Sequence, residues 1–234
     1  MFKIICIFLL CVVSVNCQTW ATRACLVNGN DFFVKTLQET INRIEKDIKW
    51  CNFKLVDVTK QIDEHLYKWH ALGTANYTNG FLVNFQRTDV TNIHVRLFTS
   101  SVTNSTTENR LIATGSLNFR NLNVGYDVEA YMNDIGIRHF TVTFPYTSVT
   151  FHFTIQKNIK TNVTSVSTTM DASATARGMA YLPRNNVSDV LSRHLTTVDI
   201  IPSFSKWAED ILTPIVREVA SKNDVPAIRF DNKC

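Results

Sequence analysis

Glycine and proline are scarce, seven and five among 234 residues. That excludes a collagen-like repeat, a Pro-rich spacer and a flexible low-complexity polymer. No Pro/Gly/Ser-rich stretch divides the chain, so it is read as one domain. Glycine is also too rare to build a phosphate-cradling loop. Basic runs are missing as well: the net charge of +4 is carried by dispersed residues, which offers nucleic acid no stripe of cations to follow. Beyond the first seventeen residues nothing approaches the roughly 18 consecutive apolar residues of a membrane-spanning helix. Apolar ring, by contrast, is plentiful. Fifteen Phe and four Trp in a chain that is 45% hydrophobic exceed what a disordered polymer carries, so this chain buries a core.

Lys3 precedes an apolar run from Ile4 to Val15, the layout of a secretory signal, too short to serve as an anchor. Residues 1–17 are therefore expected to be removed, leaving 18–234 as a single secreted, extracellular domain; cleavage after Ser14 is the competing site. Four Asn-x-Ser/Thr sequons, at Asn76, Asn104, Asn162 and Asn186, fall in polar stretches read as turns or loops and agree with a glycoprotein. Cys6, Cys11 and Cys17 leave with the signal, so Cys25, Cys51 and Cys234 are the disulfide candidates. Cys25 and Cys51 bracket a helix about 30 Å long, whereas bonded cysteines have Cα atoms about 4.4 to 6.8 Å apart. Cys234 is then the expected partner of one of the other two.

The period of the sequence changes twice. Phe33, Leu37, Ile41, Ile44, Ile48 and Cys51 recur at steps of four and three, with charges on the opposite face, which predicts an amphipathic helix over 31–50. Between 80 and 179 the period is two. Runs 81–85, 93–97, 111–119, 126–132, 140–144 and 149–155 alternate apolar and polar residues, separated by Asn, Ser, Asp and Gly, as in an antiparallel meander. Phe204, Trp207, Ile211, Ile215 and Val219 restore helical spacing and predict a helix over 203–221, with Pro202 in its first turn and a kink or break at Pro214. Asp189 to Leu195 reads as a short helical turn, and Asn52 to Leu72 is ambiguous between short helix and loop. The fold class is α+β: a long antiparallel, curved β-meander that covers its apolar face by wrapping around the N-terminal and C-terminal helices. The elongated interior that results is either close-packed or retains a tunnel for a long apolar ligand.

The order of helix, meander and Pro-containing helix, carried by Gly80-Phe81-Leu82, Asn92-Ile93-His94-Val95, Gly115-Ser116-Leu117, Tyr126 and Phe204 to Ala220 with Leu212-Thr213-Pro214, resembles single-domain members of the tubular lipid-binding (TULIP, BPI-like) superfamily. It is most similar to the group-seven mite allergens and more distantly to the takeout and juvenile-hormone-binding proteins of arthropods. The chain lacks the close N-terminal cysteine pair of the juvenile-hormone-binding type. The resemblance implies a sheet curved about helices and non-enzymatic binding of a lipid or another hydrophobic small molecule. It also implies that Leu37, Ile41, Ile44, Phe140, Val142, Phe144, Phe151, Phe153, Trp207, Ile211 and Ile215 line the ligand's interior; alternation alone says only that they are buried.

Catalytic chemistry is absent from the motifs. His65 and His70 are five apart, the wrong step for one helical face, and no His-Glu-x-x-His occurs. His152 alternates with Phe151 and Phe153 and so points to the wet face; His139 beside Arg138 reads as exposed. Gly115-Ser116 lacks the surroundings of a nucleophile elbow. Nothing in the sequence requires a metal or cofactor, and the chain is read as no enzyme. Phe144-Pro145-Tyr146, placed at a strand turn, is the candidate tip for lipid-surface contact. The alternative function is a solid-core secreted protein that recognises a protein or microbial surface through its loops; a divergent secreted hydrolase ranks third.

Overall fold

The computed structural model describes residues 23–48, 53–66, 68–102, 106–174 and 178–231. The signal segment 1–17, Cys51, Cys234 and Asn104 lie outside them. The elements are β1 (Arg23–Leu26), α1 (Gly29–Arg43), β2 (Val58–Leu66), β3 (Trp69–Asn84), β4 (Arg87–Val102), β5 (Thr106–Met132), β6 (Gly136–Asn158), β7 (Thr164–Ala174), β8 (Ala180–Leu182), α2 (Asn186–His194), α3 (Thr197–Trp207), α4 (Thr213–Lys222) and β9 (Ile228–Asp231). All strand pairs are antiparallel. One sheet runs β2-β3-β5-β6-β7, with β4 also on β5 and β8 also on β6; β1 and β9 form a separate pair. This is an α+β fold dominated by antiparallel sheet.

β5, 27 residues long, is the spine. It pairs with β6 along nearly its whole length, with β4 through residues 106–120 and with β3 through 123–132. The runs 111–119 and 126–132, expected as two strands, are thus one strand, and so are 140–144 and 149–155 in β6. The side that faces inward changes parity within each strand. Buried hydrophobic side chains are at odd positions up to Phe119 and even ones from Leu122 in β5, and at even positions up to Tyr146 and odd ones from Val149 in β6. The two changes face each other where Arg120 pairs with Ser148, so both strands twist at one seam while keeping their core face inward. Asn121 occupies the seam with φ 51. Asn79 (φ 53) and Asn92 (φ 55) mark similar irregularities in β3 and β4, where the register against β5 shifts. Every non-glycine residue with positive φ among the described residues is an asparagine, the residue best able to replace glycine in the left-handed region.

Several expectations are corrected. The sheet begins at Val58, not near 80, and extends past 179 to Leu182; the ambiguous segment from Asn52 to Leu72 holds β2 and the start of β3. Lys60, Glu64 and Leu66 alternate with exposed Gln61, Asp63 and His65 around buried Ile62, a two-residue period masked by the charges on both faces. Phe144-Pro145-Tyr146 lies inside β6, with Phe144 and Tyr146 buried, so it is no turn and no exposed tip. The first helix starts at Gly29 and changes at Ile44 to a π-helical turn ending at Ile48. The C-terminal helix starts at Thr197 rather than 203, so Pro202 sits inside it. The carbonyl that Pro202 leaves without an amide belongs to Val198, an exposed residue in the first turn. At Pro214 the helix neither breaks nor stops. A π-helical turn, Ala208–Leu212, widens it, with the Thr213 amide donating to the Ala208 carbonyl, and α4 continues.

α1 and α4 pack against the part of the sheet built from β4, β7 and the adjoining stretches of β5 and β6, while α2 packs on β2, β3 and β8. Phe33 lies so close to β5 that a Cβ on Gly115 would come within 2.4 Å of its ring. Buried Thr36 and Thr40 donate to the carbonyls of Phe32 and Thr36 at 2.7 and 2.8 Å, which satisfies their hydroxyls. Lys157 is fully buried on β6. Its ammonium donates to the carbonyls of Ala220 (3.0 Å), Ser221 (3.1 Å) and Asn223 at the end of α4, where helix carbonyls lack internal partners. Burial lowers its pKa. Asn223 in turn donates to Thr36 at 3.1 Å, tying α4 to α1.

Candidate ligand-binding site

Residues 53–57 run between β3 and α3 and are held at both sides. The Leu55 amide donates to the Gly80 carbonyl at 3.0 Å, the Val56 amide to Ser203 Oγ at 2.9 Å, and the Tyr126 hydroxyl to the Val56 carbonyl at 3.0 Å. Gly80 is required here: any Cβ would lie 2.5 Å from both Leu55 Cβ and the Tyr126 ring. Phe53 is thereby placed against Trp207 (ring centroids 4.5 Å) and Phe204 (5.7 Å).

Two spaces meet at this segment. A surface groove of about 660 Å³ has Leu55, Val56, Gly80, Phe81, Trp207 and Ile211 as its apolar wall and Lys54, Asp57, Asn79, Lys206 and Asp210 at its polar edge. Its volume is in the range of small-molecule sites. Beneath Phe53 lies a narrow crevice lined only by Phe53, Leu82, Phe85, Phe119, Leu122, Val149, Phe151 and Phe204, with no room for a water molecule. Phe119–Phe151 (5.7 Å) and Phe85–Phe119 (5.4 Å) meet edge to face along it. The crevice follows the seam: Phe119 and Leu122 flank the parity change in β5, and Val149 and Phe151 follow it in β6. Trp207 belongs to the groove and also packs at a tilt against Phe53 and Phe151 (5.6 Å), which belong to the crevice.

Of the eleven expected lining residues, Phe151 lines the crevice, Trp207 and Ile211 line the groove, and Phe140 lines a separate polar hollow of about 460 Å³ with Asn79, Asp127, Glu129 and His139. Leu37, Ile44, Val142, Phe144 and Phe153 are buried in the continuous core, with Ile41 and Ile215 half-buried against it. They pack; they do not face either space. Sequence reasoning missed Phe53, Leu82, Phe85, Leu122 and Val149 as lining, and treated Phe119 and Phe204 only as members of their stripes. The signal that marks them is their place at the ends of alternating runs, next to a change of phase.

The polar groups are organised differently from their sequence appearance. His65 and His70 face each other across the β2–β3 hairpin with rings stacked at 4.0 Å. His152 joins three strands: Ser116 Oγ lies 2.8 Å from its Nδ1, and Asp171 Oδ2 lies 3.0 Å from its Nε2. Ser116 is only 2% exposed, so its hydroxyl is not presented to a substrate, and the trio acts as a cross-strand polar tie. Among the described residues no three His, Cys, Asp or Glu side chains are placed to hold a metal ion. Cys25, on β1, takes part in a disulfide; Cys51 and Cys234 lie outside the described residues. Asn162 is exposed in the β6–β7 turn and Asn186 is exposed at the start of α2. Asn76, expected in a loop, is instead inside β3, half-buried, and accepts from Thr59 at 3.0 Å.

No family model matches this chain, and no curated protein matches it. Among solved structures, one titled "Crystal structure of lipopolysaccharide binding protein" is similar at a TM-score of 0.46 and 10% identity, over 83% of this chain and 41% of that one. This chain therefore spans about two-fifths of that structure's length.

Proposed function

We propose that this chain is a secreted, non-enzymatic protein that binds a hydrophobic small molecule or lipid, the groove admitting it and the crevice at the seam receiving its apolar part. The observation that carries this is the crevice wall: eight side chains, all carbon, joined through Trp207 to a groove whose edge is polar. An amphipathic molecule meets both chemistries in one direction. Its transfer is driven by burial of apolar surface, about 25 cal/mol per Å² before the entropic costs of binding, and requires Phe53 and Trp207 to move apart. The succession of helix, meander and Pro-containing helix supports a place beside the group-seven mite allergens. The apolar run from Ile4 to Val15 supports secretion, and exposed Asn162 and Asn186 support glycosylation; Asn76, half-buried inside β3, is less suited.

Native mass spectrometry of the secreted protein, with organic extraction of what it releases, tests the reading. A stoichiometric lipid, lost from a Phe151→Asp or Phe85→Asp variant that remains folded, is the expected result. The narrowness of the crevice favours one rival, a solid-core protein that recognises a partner through its loops. An empty protein that also fails to take up a fluorescent fatty acid establishes that rival instead.

A further inference from the structure

β2, β4 and β8, which border the main sheet, are each guarded against pairing with another chain. β2 carries Lys60, Asp63 and Glu64, and Lys60 and Glu64 are ion-paired with Asp199 (2.7 Å) and Arg193 (2.9 Å) of the neighbouring helices. β4 carries Arg87, Asp89, His94 and Arg96, and its register is interrupted beside Asn92. β8 is three residues long and is followed by Pro183. Charges, irregularities, shortness and proline all keep sheet edges from acting as templates.

β7 has none of these guards. Thr164–Ala174 is eleven residues long and contains no Lys, Arg, Glu, Pro or Gly, and Asp171 is its one charge. It stays in register with β6 from the Lys157–Thr164 pair to the Ser148–Ser173 pair. Among the described residues β6 is its only strand partner, and no backbone hydrogen bond joins it to any other element. Backbone polar groups in an antiparallel ladder point alternately to the two sides, so those of every second residue in β7 point away from β6. Helices α3 and α4 pack against the inner face, where Thr168 and Thr213 share a hydrogen bond of 2.7 Å. On the outer face Ser165, Ser167, Thr169, Asp171 and Ser173 are exposed.

The two faces restrict what can pair with this edge. Buried Val166 and half-buried Thr168, Met170 and Ala172 line the inner side, so a partner strand must also be apolar inside and polar outside. A second β7 meets that condition. Residues directly opposite in an antiparallel pair share a face, so the two-fold axis must pass through a residue. The axis that uses the whole strand passes through Thr169. Inside, Val166 then lies opposite Ala172 of the second copy, and Thr168 opposite Met170. Outside, Thr169 meets its own copy, Ser165 meets Ser173 and Ser167 meets Asp171, so the two aspartates are not opposed. His152 lies 3.0 Å from Asp171 Oδ2, which leaves Oδ1 to accept from the Ser167 hydroxyl.

We propose that this chain forms a symmetric dimer in which β7 pairs with β7 of a second copy, antiparallel about Thr169, joining the two main sheets into one. Each edge is used up by its own copy, so assembly closes at two. This pairing does not depend on the ligand reading above, since no residue of β7 lines the groove or the crevice.

Sedimentation equilibrium of the full secreted chain at low ionic strength tests the proposal. The mass is expected to rise with concentration from monomer to dimer and no further. Thr169→Lys places two ammonium groups opposite each other across the axis and should weaken dimerisation about fivefold, as should Thr169→Asp. An equimolar mixture of these two variants should dimerise at least as well as the unaltered chain, which also shows that each variant folds. Ser167→Lys faces Asp171 and should leave the dimer intact, and His94→Lys, exposed on β4, should have no effect. A chain that stays monomeric at every concentration overturns the proposal. So does a dimer indifferent to Thr169→Lys, a mixture that fails to recover, or a mass that climbs past the dimer, because a head-to-tail contact would grow in that way. Loss of the dimer in Ser167→Lys as large as that in Thr169→Lys overturns the register, and the proposal with it.

Discussion

On one side of the Arg120–Ser148 seam, the β5–β6 ribbon buries phenylalanine and aliphatic side chains beneath α1 and α4. On the other side the sheet adds four buried tyrosines, Tyr77, Tyr126, Tyr146 and Tyr181, to its phenylalanine and aliphatic side chains, beneath α2 and the start of α3. Tyr77 and Tyr181 share a hydrogen bond of 3.0 Å, Tyr126 donates to the Val56 carbonyl and Tyr146 to the Thr197 carbonyl at 2.9 Å. The difference follows from what covers each half. Long helices satisfy their own backbone except at their ends, so the first half needs polar help at one place, and Lys157 supplies it. The second half is covered by α2, by the first turn of α3 and by the extended segment 53–57, whose carbonyls have no helical partners. Ring hydroxyls reach them from the sheet while the rings fill the core.

Lys157→Met should be the most damaging change that distinguishes the halves. It retains the stem but leaves buried terminal carbonyls of α4 without a donor, at about 3 kcal/mol, measurable by urea denaturation. Gly115→Ala comes next. Its Cβ would meet the Phe33 ring at 2.4 Å, and displacing α1 should cost about 2 kcal/mol, largely recovered in a Phe33→Leu background. In the tyrosine half the load is spread, so Tyr146→Phe should cost only about 1 kcal/mol. A loss as large as that of Lys157→Met would show that the halves are not built differently. The tyrosines also set the alkaline limit. Burial pushes Tyr77 and Tyr126 up to about 12, above the ordinary phenol value near 10. Their contribution is therefore complete below about pH 10 and is lost as the pH rises through about 12, which a denaturation series against pH resolves. The smallest effect is expected at the seam itself: Asn121→Gly should change stability by no more than about 0.5 kcal/mol, whereas Asn121→Ala should cost about 1 kcal/mol or more.

The elements with one dry face were legible from sequence. α1 and the C-terminal helix follow their stripes, and each alternating run lies in a strand. What was not legible is continuity. Polar Asn118, Arg120, Asn121 and Asn123 interrupt β5 in the sequence as a turn would, yet Asn121 only twists it, because asparagine serves both purposes. The odd-to-even change between Phe119 and Leu122 was the available sign that the chain turns over without leaving the sheet. β2 was hidden by Lys60, Asp63, Glu64 and His65, since an edge strand with charges on both faces has no clear apolar alternation. The lining of the crevice was illegible for a further reason. Periodicity identifies burial, while a space in the core depends on the shape of the packed chains, and eleven positions expected to be buried gave no means of choosing among themselves.

The left-handed asparagines carry a consequence for descent. At Asn79, Asn92 and Asn121 the side chain matters less than the backbone shape it tolerates, so in related chains these sites should drift among asparagine, aspartate and glycine and exclude valine, isoleucine and threonine. Neighbouring strand positions should prefer the very residues these three refuse. A lineage poor in glycine could thus preserve the twist of its sheet while almost every other outward-facing side chain is replaced, and an alignment column of small, permissive residues inside a strand would mark the seam, and with it the crevice, in a relative whose structure is still unknown.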